Sequence, residues 1–293
     1  MKEEDGVDLE DGDFRIARRY LHPQLFASGD DDATKYPPPD ELISEDAWDD
    51  VVVLPTDVLL KSTSYEGDLI SRLSALHSDW IFSWPEIGTA PFVDEVALLV
   101  GEEFDALVFN AAHGYYRQAI GCLRNAIELM TVAAGLAVTK NGSLFKKWHQ
   151  EGQEISFGQA RSWLRDSPSG KLVDAEASPS SIFGDDDSHW LKRRYARLCG
   201  YSHSRAGYNN ADFWESNGPI FVPTALGVVE QEFRETLAVC YLLLRLAWPN
   251  HEMREGERNL IHGEMNGWEQ FQAVLRKWLN INDETISMSM DPE

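Results

Sequence analysis

Ile120, Leu123, Ile127, Met130, Ala134 and Ala137 recur at alternating steps of three and four. That spacing lays one continuous apolar seam along a helix; a strand, whose faces alternate every second residue, cannot collect it on one side. It predicts a helix over Tyr115–Val138, with Asn141-Gly142 as its C-terminal stop. The same period appears elsewhere. Leu69, Leu73, Leu76 and Trp80 share one face ahead of Pro85, and a helix from about Val93 to Ala112 carries Val96, Leu99, Phe104 and Leu107 as candidate core. Thr224–Trp248 turns Leu226, Val229, Phe233, Leu237, Cys240, Tyr241 and Leu244 inward before Pro249, and Trp268–Leu279 repeats the pattern with Trp268, Phe271, Leu275 and Trp278.

Shorter helices are expected around Lys146–His149 and Phe157–Leu164, and another from Ser188 to about Leu198, where Gly200 interrupts it. The Ser/Pro/Asp-rich stretch Asp166–Asp187 reads as a long surface loop, and Ala206–Pro223 as a second loop. Val51–Leu54 is either an edge strand or an apolar anchor. The fold class is therefore all-α: a helical bundle with a long surface loop and an acidic, loosely structured N-terminal segment. Its expected division is residues 1–45 as the acidic segment, 46–92 as a helical extension, 93–248 as the bundle, and 249–293 as a last helix with a tail.

Charge narrows the function classes. The chain carries a formal net charge of -23, and residues 1–50 hold sixteen Asp/Glu against five Lys/Arg, a local net of -11. A general DNA-binding surface is excluded by that field, so any phosphate contact has to be local. The three cysteines, Cys122, Cys199 and Cys240, have neither metal-type nor redox-type spacing. The acidic N-terminus has no apolar leader core, and Leu237–Trp248 is too short to span a bilayer, so a cytoplasmic protein with no membrane partner is expected. Glycine-rich phosphate loops, the G-x-S-x-G elbow and H-E-x-x-H are all absent. No cofactor and no metal site is expected; His251-Glu252 and His262-Gly-Glu264 lack the spacing that puts two ligands on one helical face.

One window departs from the acidic background. Between Ser188 and Ala211 there is no Asp or Glu, while Lys192, Arg193, Arg194, Arg197 and Arg205 stand among His189, His203, Trp190, Tyr195, Tyr201 and Tyr208. An anion would be held here, with Lys192, Arg193, Arg194, Tyr201 and Arg205 as binding residues. Arg197 precedes His203 by six residues, a rotation of about 600° on an unbroken helix. A break at Gly200 would let the imidazole fold back towards the guanidinium. An arginine gripping phosphate and a histidine moving a proton suffice for metal-independent RNA cleavage. In the best-specified helix, Arg124 and Glu128 are four apart and read as a structural polar pair, with Arg117 one heptad before Arg124.

The run from Ala112 to Glu128, with its Arg-x-x-x-Glu pair, the downstream Trp148, and Tyr195-Ala-Arg-Leu-Cys-Gly-Tyr-Ser-His203 together resemble the HEPN superfamily. These are four- or five-helix bundles common in phage defence and toxin systems. The resemblance covers roughly Val93–Trp248. It implies a metal-independent endoribonuclease acting on single-stranded RNA, with Arg197 as the motif arginine, His203 as the motif histidine, and one cleft built by two chains of a homodimer. Leu198 stands where active members carry a polar residue. The alternative is a non-catalytic helical module that binds a partner protein or a small anionic ligand such as a nucleotide.

Overall fold

The computed structural model describes residues 47, 49–83, 90, 92–186, 189–202, 218–249 and 269–278. The acidic segment and the 249–293 tail beyond these ranges therefore lie outside the described residues, as do His203, Arg205 and Tyr208. Among the described residues, a π-helical turn at Asp49–Val53 leads into ten α-helices. They are α1 Leu54–Tyr65, α2 Gly67–Phe82, α3 Asp94–Ala112, α4 Tyr116–Thr139, α5 Gly142–Glu151, α6 Phe157–Asp166, α7 Pro168–Glu176, α8 Trp190–Ser202, α9 Pro223–Ala247 and α10 Glu269–Trp278. No strand occurs among the described residues, so the chain is an all-α bundle.

The hub is α4, which packs against α3, α9, α6 and α8, while α2 closes the side formed by α3 and α9. All six residues of its predicted seam are buried. The helix is long and apolar enough to cross a membrane, yet 67% of that apolar window is covered by neighbouring helices, as befits the core helix of a bundle. Aromatic rings fill the space between α2, α3 and α9. Trp80 meets Phe104 edge-on at 5.6 Å and Tyr241 at 5.5 Å, and Phe104 meets Phe233 at 4.8 Å. The buried Trp80 indole would be orphaned without a partner, and its Nε1 donates to the Ala97 carbonyl at 3.0 Å, tying α2 to α3.

Four expectations are corrected. Val51–Leu54 is helical, and only its anchor role survives, through buried Val53. Leu99 is 37% exposed, while its neighbour Val100 takes the core position. The stop of α4 is Lys140, left-handed at φ 53°; Asn141 instead caps α5, accepting from Leu144 N. The stretch Asp166–Asp187 is not a continuous loop. Ser167 accepts from Gly170 N and Pro168 opens α7, the pairing of N-cap and first-turn proline that starts a helix. Asp174 then receives the amides of Ile182 and Phe183 at 2.7 and 3.2 Å, fixing the following turn.

Two close approaches set helix spacing. Gly135 on α4 faces Ala160 on α6, where a Cβ would lie 2.9 Å from the Ala160 carbonyl oxygen. Gly114, between α3 and α4, has φ +78°, and its α-carbon sits under the backbone of Ile220. That strap is held further by Val222 N donating to the Tyr116 hydroxyl at 2.9 Å.

Candidate functional site

The basic window folds into α8, which runs through Gly200 to Ser202; the predicted break at Gly200 does not occur. A helix continues there because Leu191, Arg194, Leu198 and Tyr201 form one buried stripe that carries the chain past the glycine. An arginine thus occupies a core position, and the cations separate by helical phase. Arg194 is only 4% exposed. Its Nη1 meets Glu232 and Glu235 at 2.5 and 2.6 Å, and its Nη2 donates to the Glu232 carbonyl and the Thr236 hydroxyl. Arg197 places Nε and Nη2 at 2.7 and 2.6 Å from the same oxygen of Glu232. The Arg197 side chain nevertheless remains 59% exposed, against 2% for Glu232.

This is a four-charge cluster, two guanidiniums against two carboxylates, at the α8–α9 seam. Burial raises the Glu235 carboxyl pKa despite the opposing pull of Arg194. For Arg197, burial lowers the pKa, but Glu232 more than offsets it and the net direction is up. Lys192 donates to the Asp185 carbonyl at 2.6 Å, and Arg193 lies 5.0 Å over the Trp190 ring. Tyr201 is buried, which raises its phenol pKa, and its carbonyl accepts from Arg117 Nε at 2.5 Å. Arg117 therefore satisfies a carbonyl in the last turn of α8.

A second polar group lies on the α4 side of α8. Arg124 pairs with Glu128 at 2.8 Å and donates to the Tyr195 hydroxyl at 2.7 Å and to Asn125 Oδ1 at 3.2 Å. The Asn125 amide passes the contact on to the Glu103 carboxylate at 3.2 Å. Tyr195 stacks flat on Phe157 at 3.8 Å, so its ring is fixed before its hydroxyl is engaged. Burial first, with Glu128 and Cys199 adding, pushes the Tyr195 phenol up to about 12. Tyr195 and Arg197 are two residues apart, about 200° around the helix, which is why they face different neighbours. Tyr195→Phe should cost about 1 kcal/mol in urea unfolding, the net value of one partly buried hydrogen bond.

The structure thus brings Arg124 and Glu128 together as expected, joins Arg197 and Arg194 through Glu232, and places Lys192 and Arg193 on separate contacts. Sequence reasoning missed Glu232, Glu235, Glu103 and Asn125. A partial signal existed for the first two: Glu232 and Glu235 fall beside the inward positions Val229, Phe233 and Leu237 of the same helix, and a carboxylate turned toward the core requires a buried counter-charge. Among the described residues, no group of three or more His, Cys, Asp or Glu is placed to hold a metal; the His251 and His262 pairs lie outside them. Compared with protein-family models, curated proteins and solved structures, the chain matches none.

Proposed function

We propose that this chain is a HEPN-like protein that cleaves single-stranded RNA without a metal, using Arg197 and His203 across a homodimer. The observation that carries the reading is the state of Arg197. A buried carboxylate fixes two of its N–H groups, while the side chain as a whole stays more than half exposed. An arginine oriented in this way can grip a phosphate without first being ordered by it. In the reaction, the ribose 2′-oxygen attacks phosphorus as His203 takes its proton. The P–O5′ bond breaks, and the leaving 5′-oxygen receives a proton from His203 of the partner subunit. The products are a 2′,3′-cyclic phosphate and a 5′-hydroxyl, and Arg197 stabilises the charge that builds on the phosphoryl oxygens.

A second reading is favoured by the α8–α9 cluster. Arg194 is buried and spent on Glu232, Glu235 and Thr236, a structural counter-ion that suits a non-catalytic module binding a partner protein or a small anion such as a nucleotide. Incubation with single-stranded RNA in EDTA separates the two. Cleavage should leave cyclic phosphate ends and fall by about 100-fold or more in Arg197→Ala and His203→Ala. Intact RNA, with anion binding that weakens as salt rises, would transfer support to the second reading.

A further inference from the structure

A cleft of about 550 Å³ lies where α4 meets α3 and the α5–α6 connection, and its lining is acidic. It holds one guanidinium, Arg124, which Glu128 already matches at 2.8 Å. Two further carboxylates, Glu103 and Glu154, line the same cleft. The donors to Glu103 are both neutral: the Asn125 amide, at 3.2 and 3.3 Å from its two oxygens, and the Cys122 thiol. Burial raises the Glu103 carboxyl pKa, as it does for a carboxylate with no cation beside it. Glu154 is exposed and pairs with no Lys or Arg among the described residues.

These two carboxylates stand towards opposite ends of the cleft. The amide contact fixes Glu103 at the level of Asn125. Ile155, next to Glu154, packs instead with Val132 and Leu136. From Asn125 to Val132 the helix rises about 10 Å. Leu129, Val132 and Ile155 supply an apolar wall along that stretch. Carboxylates so far apart cannot share one metal ion, and among the described residues no group of three or more His, Cys, Asp or Glu is placed to hold one. An anion finds no spare guanidinium here. The complement is a long ligand, cationic at both ends and apolar between them. An extended alkyl chain that covers about 10 Å has about eight carbons.

We propose that the cleft binds a linear aliphatic diamine, with one ammonium at Glu103, the other at Glu154, and its methylene chain along Leu129, Val132 and Ile155. Trp148 adds an indole to the same lining, a further attraction for a cation. None of these residues takes part in the RNA chemistry proposed above, so the two readings stand or fall separately.

Calorimetric titration of the full chain with octamethylenediamine tests this, in about 0.15 M salt so that general attraction to a protein of net charge -23 is screened. Saturable binding is expected. Octylamine, which has one ammonium, and tetramethylenediamine, which is too short to reach both carboxylates, should each bind about fivefold or more weakly. Glu154→Gln should weaken the diamine until it binds within about twofold of octylamine. Glu154 is exposed, so this substitution leaves the core intact. Absence of saturation up to about 10 mM, equal affinity for octylamine or the shorter diamine, or unchanged diamine affinity in Glu154→Gln would overturn the proposal.

Discussion

Arg194→Met is expected to destabilise the fold by about 3–5 kcal/mol, the cost of leaving buried carboxylates without their counter-charge. Methionine fills much of the arginine's volume, so the effect isolates charge from packing. Glu232 and Glu235 are 1% and 8% exposed, and both lose Arg194; Glu232 keeps Arg197. The second-site variant Glu235→Gln should recover about 1 kcal/mol or more in the Arg194→Met background, because it removes one stranded charge while keeping its shape. Urea unfolding measures both, and an Arg194→Met protein within about 1 kcal/mol of the parent would refute the account.

The pH dependence of that variant has a definite sign. Burial already places the Glu235 pKa above its unfolded value, so the folded state binds that proton more tightly. Its stabilising contribution is complete below the unfolded carboxylate pKa and disappears as pH rises through the folded one. Removing Arg194 raises that folded pKa further. The stability gap between Arg194→Met and the parent should therefore narrow as pH falls from about 7.5 to about 5, and a gap that widens would contradict the buried-charge explanation.

Gly114→Ala is expected to cost about 3 kcal/mol or more, from two additive sources. The backbone is left-handed at φ +78°, which any residue with a Cβ resists, and the new Cβ would stand 2.3 Å from the Ile220 carbonyl oxygen and 2.6 Å from its nitrogen. Neither neighbour is a flexible side-chain end. The 218–222 strap has to withdraw, taking with it the bond from Val222 N to the Tyr116 hydroxyl. Gly142→Ala is the control. A Cβ added there would meet nothing within 4 Å, and the backbone φ is not positive, so the change should be neutral or mildly stabilising. Equal destabilisation of the two variants would show that the strap does not press on Gly114.

The helices were legible because their apolar residues follow one period strongly enough to outvote local breakers. The α4 seam, the α2 face and the inward residues of α9 were all visible this way. The errors came where local signals competed with packing. Gly200 reads as a break on propensity alone, yet Leu198 and Tyr201 on either side of it are buried and hold the helix together. Asp166–Asp187 reads as a loop from its composition, although Ser167-Pro168 already carries the start signal of α7. At the candidate site the local pair Arg124–Glu128 was legible, but the distant partners of Arg194, Arg197 and Arg124 on other helices were not.

Sequence by itself determined that this chain is helical, which faces of its helices seek the core, and that one window of an acidic protein holds five cations with no Asp or Glu. Those properties are local, written within a few turns of chain. Tertiary structure alone decided that Arg194 is a buried counter-ion, that Arg197 is held by Glu232, and that Arg124 answers to Tyr195. The reason is physical: a guanidinium takes whichever carboxylate or hydroxyl the packing of α8 against α4 and α9 brings within hydrogen-bonding reach, and partners 35 to 71 residues distant leave no periodic trace in the chain.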